Sequence, residues 1–140
     1  KYSQVIVRDY VSGAMENTTA VIFGDFVQMT ARELIDNGDL NESIVAHEMM
    51  HHWFGDLVTC ESWANLPLNE SFANYSEYLW FEHKYGKDEA DYHRINEMNG
   101  YLGSLQGGGE TRCDKALFAR QCSMLQLDQA RRLVGLRGKV

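Results

Sequence analysis

The chain has 140 residues, of which 44% are hydrophobic and 24% are charged, and its formal net charge is −7 at pH 7. This composition suits one soluble globular domain with a core, and it disfavours a collagen, a disordered chain or a helical membrane protein. Three cysteines at spacings that match no paired metal site disfavour a disulfide framework, and reduced thiols slightly favour the cytoplasm, although we find no targeting signal that assigns a compartment.

Charge is distributed unevenly along the chain. Residues 1–109 hold 6 Lys and Arg against 17 Asp and Glu, whereas residues 110–140 hold 7 against 3. The composition changes at the glycines of residues 107–109, so we predict a principal unit over 1–109 and a basic, helical tail over 110–140. The tail lacks interleaved aromatic residues, which disfavours nucleic acid as a partner.

The first predicted elements are two strands. Residues 4–8 and 20–29 are rich in Val, Ile and Phe, and they flank a turn-like segment at residues 12–13. This pattern predicts a short antiparallel β element at the N-terminal end.

Helices are predicted after the strands. Asp39 followed by Glu42 fits a capping box, which predicts a helix from Leu40 through the mid-fifties that ends near Gly55. Pro67 suits the first turn of a second helix. Helical spacing predicts that its buried face comprises Leu68, Phe72, Tyr75 and Leu79. Two further helices are predicted over residues 88–105 and 115–134, so the fold class is α+β and mostly helical.

The strongest chemical signal is the sequence HEMMH at residues 47–51. Residues four apart on a helix project from one face, so His47 and His51 can reach one metal ion while Glu48 stands beside them as a general base for a water molecule. Glu70 follows His51 after eighteen residues and supplies a third ligand from the next helix. The pattern predicts one zinc ion per chain.

Glu77 lies one period of seven residues after Glu70. At this spacing Glu77 shares the helix face of Glu70 and can accept a hydrogen bond from a ligating histidine. An ordinary exposed glutamate is the alternative. His52 points away from the ligands around the helix, so packing or a hydrogen bond is favoured over metal binding, and His83 and His93 have no ligand spacing.

Three motifs follow one another in the sequence: GAMEN at residues 13–17, HEMMHHWFGD at residues 47–56 and WANLPLNE at residues 63–70. In this combination the chain resembles the M1, or gluzincin, aminopeptidases, from about residue 4 to residue 85 and more weakly to residue 105. The resemblance implies that residues 1–109 form part of a thermolysin-like zinc metallopeptidase catalytic domain that removes single residues from peptide N-termini. It also implies flanking domains of the parent protein that are missing here, one before Lys1 and one after Val140.

The first motif is expected to bind a peptide substrate with a free N-terminus. Gly13 lets a substrate backbone approach in strand-like pairing, and the carboxylate of Glu16 supplies the charge that an α-ammonium group seeks. A carboxylate fixed one residue's length from the metal favours an aminopeptidase over a thermolysin-like endopeptidase, because it selects chain ends. The predicted substrate-binding residues are Gly13, Ala14, Met15, Glu16 and Asn17.

One departure from the family keeps a second function open. Members carry a catalytic tyrosine downstream of the zinc helices that stabilises the oxyanion, but no tyrosine follows Tyr101 here. The isolated chain is therefore expected to be a weak or inactive catalyst. The alternative to an aminopeptidase is a zinc-holding module, or inactive homologue, that binds peptide N-termini without cutting them. Glu48 favours the enzyme, because a binding site needs no general base.

Overall fold

The computed structural model describes residues 1–106. Three strands precede three helices, with short 3₁₀ turns at Asp25–Val27 and Trp63–Asn65. The strands and helices are β1 (Ser3–Val7), β2 (Ala14–Met15), β3 (Ala20–Gly24), α1 (Glu33–Met50), α2 (Pro67–Tyr85) and α3 (Lys87–Gln106). The predicted α+β class is confirmed, as is the helix predicted over 88–105. The predicted helix over 115–134 and the basic tail lie outside the described residues, so the division at residue 109 stays a prediction.

The sheet is mixed, with the strand order β1-β3-β2. β1 pairs with β3 in parallel, and only β2 pairs with β3 in the antiparallel sense. The expected antiparallel β element is therefore confirmed for β2 and β3 only, and the two longer strands are parallel. Residues 8–19 provide the crossover of about a dozen residues that parallel strands need, and β2 lies within that crossover. Because the strand order is β1-β3-β2, β2 lies at one edge of the sheet.

The third strand is shorter than its sequence predicts. β3 ends at Gly24 and not at residue 29, because the chain folds directly into the 3₁₀ turn Asp25–Val27. A Cβ atom at Gly24 would lie only 2.8 Å from the ring of Phe26. Glycine therefore permits the tight exit from the sheet. Val21 and Phe23 point into the core and are almost completely buried.

Helix α1 begins earlier and ends earlier than predicted. The carboxylate of Glu33 accepts a hydrogen bond from the Thr30 backbone N–H at 2.8 Å, and the Glu33 N–H donates to the Thr30 hydroxyl at 3.3 Å. This reciprocal pair is a capping box, whereas the Asp39 and Glu42 pattern lies inside the helix. The helix ends at Met50, but His51 keeps helical dihedral angles (φ −57°, ψ −23°).

Helix α2 starts at Pro67 as predicted, but its predicted buried face is only partly confirmed. Leu79 is 37% exposed, and none of the four predicted residues is fully buried. The face toward α1 carries small and polar side chains instead, as shown by the Ser76 hydroxyl, which donates to the Ala46 carbonyl at 3.0 Å. The buried residues of α2 are Ser71, Ala73, Asn74, Ser76, Glu77, Tyr78 and Phe81.

Two contacts fix α2 between its neighbours. Toward α3, Tyr78 and Phe81 pack on Ala90 in a small core cluster. Toward α1, the carboxylate of Glu42 receives an ion pair from Lys84 and hydrogen bonds from the Trp80 indole N–H and the Tyr85 hydroxyl, both at 3.0 Å. Partial burial of Glu42 works to raise its pKa, but the three donors and the lysine charge together hold the pKa below its ordinary value. Among the described residues, no helix combines the length and apolar character of a membrane span.

Candidate metal centre

The donor atoms of the three predicted ligands converge between α1 and α2. His47 lies in the last turn of α1 and His51 caps it, and each is only 2% exposed. Their Nε2 atoms are 3.1 Å apart. Glu70, in the first turn of α2, brings its Oε2 atom to 3.4 Å from Nε2 of His47 and 3.7 Å from Nε2 of His51.

This triangle of donor atoms fits a tetrahedral metal ion. With metal–ligand bonds of about 2.1 Å, two ligands of a tetrahedral zinc ion are about 3.4 Å apart, and the three observed separations scatter around that length. Two imidazoles and one carboxylate are also a ligand set that zinc takes in catalytic sites, where a fourth position stays open. The residues present therefore fit a zinc ion.

The outer ring nitrogen of His51, which is the one outside the triangle of donor atoms, lies near a backbone acceptor. Nδ1 of His51 lies 2.9 Å from the carbonyl oxygen of Phe54. The turn that brings this carbonyl back depends on Gly55, which has φ +140°, and a Cβ there would lie 3.2 Å from Nδ1 of His51. Phe54 is further held by stacking on Phe72, with ring centroids 4.1 Å apart.

The outer nitrogen of the His47 ring has a carboxylate partner. Oε1 of Glu77 lies 2.8 Å from Nδ1 of His47, and Glu77 is buried between α1 and α2. This is the contact that the seven-residue spacing from Glu70 predicts. The second oxygen of Glu77, Oε2, lies 3.5 Å from Nε2 of His93 on α3.

Glu48 and Glu16 lie on the same side of the site. One carboxylate oxygen of each residue and one ring nitrogen of His51 are within 4.8 Å of one another. Glu48 is 7% exposed and Glu16 is half-buried. The structure thus brings the proposed base and the proposed amine anchor together beside the histidines.

The GAMEN segment forms the edge strand and the turn that follows it. Gly13 has φ +80° and open space where a Cβ would lie, so the backbone conformation itself requires glycine there. Ala14 and Met15 form β2, and the carbonyl of Asn17 accepts the Ala20 N–H at 2.9 Å to close the turn. The side chain of Asn17 is exposed.

Sequence reasoning misses three contributors to this site. The carbonyl of Phe54 carries no side-chain signal, although the glycine after it marks a turn. Gly55 is predicted only as the end of a helix. His93 lacks ligand spacing, yet it contacts Glu77. His52, as favoured, makes a hydrogen bond, in which its Nε2 accepts the Thr19 N–H at 3.2 Å.

Comparison with known proteins agrees with these motifs. The model of the Peptidase family M1 domain matches residues 1–105. The chain therefore belongs to peptidase family M1.

Relatives in this family are named aminopeptidases. Aminopeptidase N of Lactobacillus delbrueckii subsp. lactis is 43% identical over 82 residues, which are 57% of this chain and 10% of that protein. Aminopeptidase N of Canis lupus familiaris is 41% identical over 81 residues, which are 56% of this chain and 8% of that protein. The chain thus spans about a tenth of the length of these curated relatives. No solved structure gives a significant match.

Proposed function

We propose that this chain carries the active-site residues of a zinc-dependent aminopeptidase, which hydrolyses the N-terminal peptide bond of peptides within a thermolysin-like catalytic domain. The convergence of the His47, His51 and Glu70 donor atoms from two helices carries the proposal. Membership in peptidase family M1 and the names of the relatives support it.

In this proposal one zinc ion is held by Nε2 of His47, Nε2 of His51 and a carboxylate oxygen of Glu70. When bound, zinc supplies a Lewis acid that polarises the scissile carbonyl and makes water a better nucleophile at neutral pH. Glu77 and the Phe54 carbonyl accept the outer N–H groups of the two histidines, which directs the Nε2 lone pairs inward.

Two further carboxylates have separate roles, in proton transfer and in binding the substrate amine. Glu48 takes a proton from the attacking water at its carboxylate and delivers it to the nitrogen of the leaving amine. Glu16 binds the α-ammonium group of the substrate, while the edge of β2 pairs with the peptide backbone. The proximity of Glu16 to Glu48 and His51 supports selection of chain ends, because a fixed carboxylate leaves room for only one residue before the cut.

A zinc-holding module that binds peptide N-termini without cutting them is the second candidate. No tyrosine lies between Tyr101 and Val140, so residues 102–140 do not supply the family's oxyanion donor, and the second candidate applies to this chain by itself. Loss of one such donor costs about a hundred- to a thousand-fold in rate, so we propose that the isolated chain turns over weakly.

One experiment separates these functions. The purified chain is assayed for bound zinc and then for hydrolysis of aminoacyl chromogenic amides with free and with acetylated N-termini. One equivalent of zinc with turnover of free amides alone supports the aminopeptidase. Peptide binding is measured in parallel, and the same assays are run on a longer chain that includes the flanking domains. Zinc with peptide binding but no turnover in both chains supports the binding module. A chain that binds no zinc overturns both.

A further inference from the structure

Glu77 stands between two histidines of different helices. Its Oε1 lies 2.8 Å from Nδ1 of His47 on α1, and its Oε2 lies 3.5 Å from Nε2 of His93 on α3. The side chains of Glu77 and His93 are 11% and 18% exposed, so solvent screens this contact only partly. The three residues form a row that leads from the metal centre into the third helix.

The ring of His93 is itself held in place. It stacks on Phe81 with ring centroids 4.5 Å apart and an interplanar angle of 10°. Phe81 is 3% exposed and belongs to the core cluster of α2 and α3 with Tyr78 and Ala90. The stack therefore fixes the direction in which Nε2 of His93 faces.

A carboxylate contacted at both oxygens has less freedom to rotate than one contacted at a single oxygen. If only Oε1 were engaged, Glu77 could turn about its terminal bonds and lengthen the contact with His47, since that torsion has broad minima. A contact from His93 to Oε2 opposes this rotation. Partners of a ligating histidine orient its ring and raise its basicity, and their loss lowers metal affinity about 10- to 100-fold.

We propose that His93 is a positioning residue of the metal centre, which acts through Glu77 to hold the His47 ring in its ligating orientation. This role rests on the proposed function, because it presupposes that His47 binds zinc. Through His93, helix α3 takes part in metal binding, although none of the three proposed ligands lies on α3.

The test distinguishes the contact that His93 makes with Glu77 from the stacking of its ring on Phe81. His93→Phe keeps an aromatic ring against Phe81 but removes the contact with Glu77, whereas His93→Gln keeps an N–H donor and removes the stack. Zinc affinity of the whole chain is measured by competition with a chromogenic chelator, and thermal unfolding is measured on the metal-free protein. His83→Phe is the matched control, because His83 is an exposed histidine near the end of α2.

We expect His93→Phe to weaken zinc binding about tenfold, at the lower end of the range for direct partners, with little change in metal-free stability. His93→Gln should keep an affinity closer to the unchanged protein, and His83→Phe should not alter it. In a Glu77→Gln background, His93→Phe should have no additional effect, because the residue through which it acts is already changed.

Two results would overturn the role of His93. One is unchanged affinity in His93→Phe, whether or not metal-free stability falls, and the other is an equal loss of affinity with and without Glu77→Gln. The failure of the unchanged chain to bind zinc is a different outcome, because it overturns the proposed metal centre and, with it, this role. Normal zinc binding in both the unchanged chain and His93→Phe removes the inference and leaves the proposed function standing.

Discussion

Nδ1 of His51 lies 2.9 Å from the backbone carbonyl oxygen of Phe54. A carbonyl oxygen can only accept a hydrogen bond, so the neutral ring of His51 carries its proton on Nδ1 and presents an Nε2 lone pair to His47 and Glu70. The main chain thus selects the tautomer that metal binding needs. The selection depends on the turn at Gly55, whose φ of +140° few other residues adopt.

Gly55→Ala should therefore damage the metal centre. The added Cβ would lie 3.1 Å from the His51 carbonyl oxygen and 3.2 Å from its Nδ1, in a backbone conformation that strains any L side chain. We expect zinc affinity to fall about 10- to 100-fold, as when an outer partner of a ligand is lost. Chelator competition measures the change.

Gly86→Ala is the control for this variant. Gly86 lies at the junction of α2 and α3 and also has a positive φ, of +95°, but a Cβ added there would meet open space. Gly86→Ala should lower stability without changing zinc affinity. Equal zinc affinity in the two variants would show that the Phe54 carbonyl does not matter for the site.

Glu48→Gln should separate metal binding from proton transfer. Glu48 contributes no atom to the triangle of His47, His51 and Glu70, so the variant should keep its zinc content within error. Turnover of an aminoacyl amide should fall about 100- to 10,000-fold, because an amide cannot take the proton from water. Metal analysis and single-turnover kinetics check both statements, and a variant that loses its zinc would assign Glu48 to the ligand set.

Changing Glu16 should affect the choice of substrate more than the chemistry. Glu16→Gln keeps the size of the side chain but removes the charge, so we expect kcat/KM for amides with a free N-terminus to fall about 10- to 100-fold. Rates for acetylated amides should change much less. If the ratio of the two rates is the same before and after the substitution, Glu16 does not anchor the amine.

The shared position of His47 and His51 could be predicted because its signal is local. Four residues bring His47 and His51 onto one helical face, and neither the start of α1 nor the sheet topology affects that relationship. In the same way, a spacing of seven residues places Glu77 on the same face of α2 as Glu70. Such patterns survive errors in the bounds of the helix that carries them.

The buried face of α2 could not be predicted because it is defined by its neighbours. Hydrophobic periodicity selects Leu79, which is exposed, whereas the side chains that contact α1 include Ser76 and Glu77. Pairing of β1 with β3 and the contact of His93 with Glu77 likewise join residues far apart in sequence. No spacing rule within one element reports such contacts.

The carboxylate of Glu42 makes stability depend on pH at the contact between α1 and α2. Its pKa is lowered in the fold from an ordinary value of 4.5: partial burial opposes the shift, and Lys84, Trp80 and Tyr85 outweigh it by binding the ionised form. A carboxyl group with a lowered folded pKa stabilises the native state fully above its unfolded pKa. That contribution is lost as the pH falls through the folded pKa.

Glu42→Gln should consequently destabilise the protein by roughly 1 kcal/mol near pH 7, because a half-exposed charge with several donors contributes in that range. The difference in the free energy of unfolding between the variant and the unchanged chain should shrink as the pH falls below 4.5, where the carboxyl group of the unfolded state begins to take up protons. Urea unfolding of metal-free protein at several pH values measures this difference in the free energy of unfolding.

Glu61→Gln is the control, because Glu61 is exposed and should give almost no difference at any pH. A difference for Glu42→Gln that stays constant from pH 7 to well below 4.5 would mean that the three donors bind the neutral side chain equally well, and that the charge of Glu42 does not hold α1 to α2.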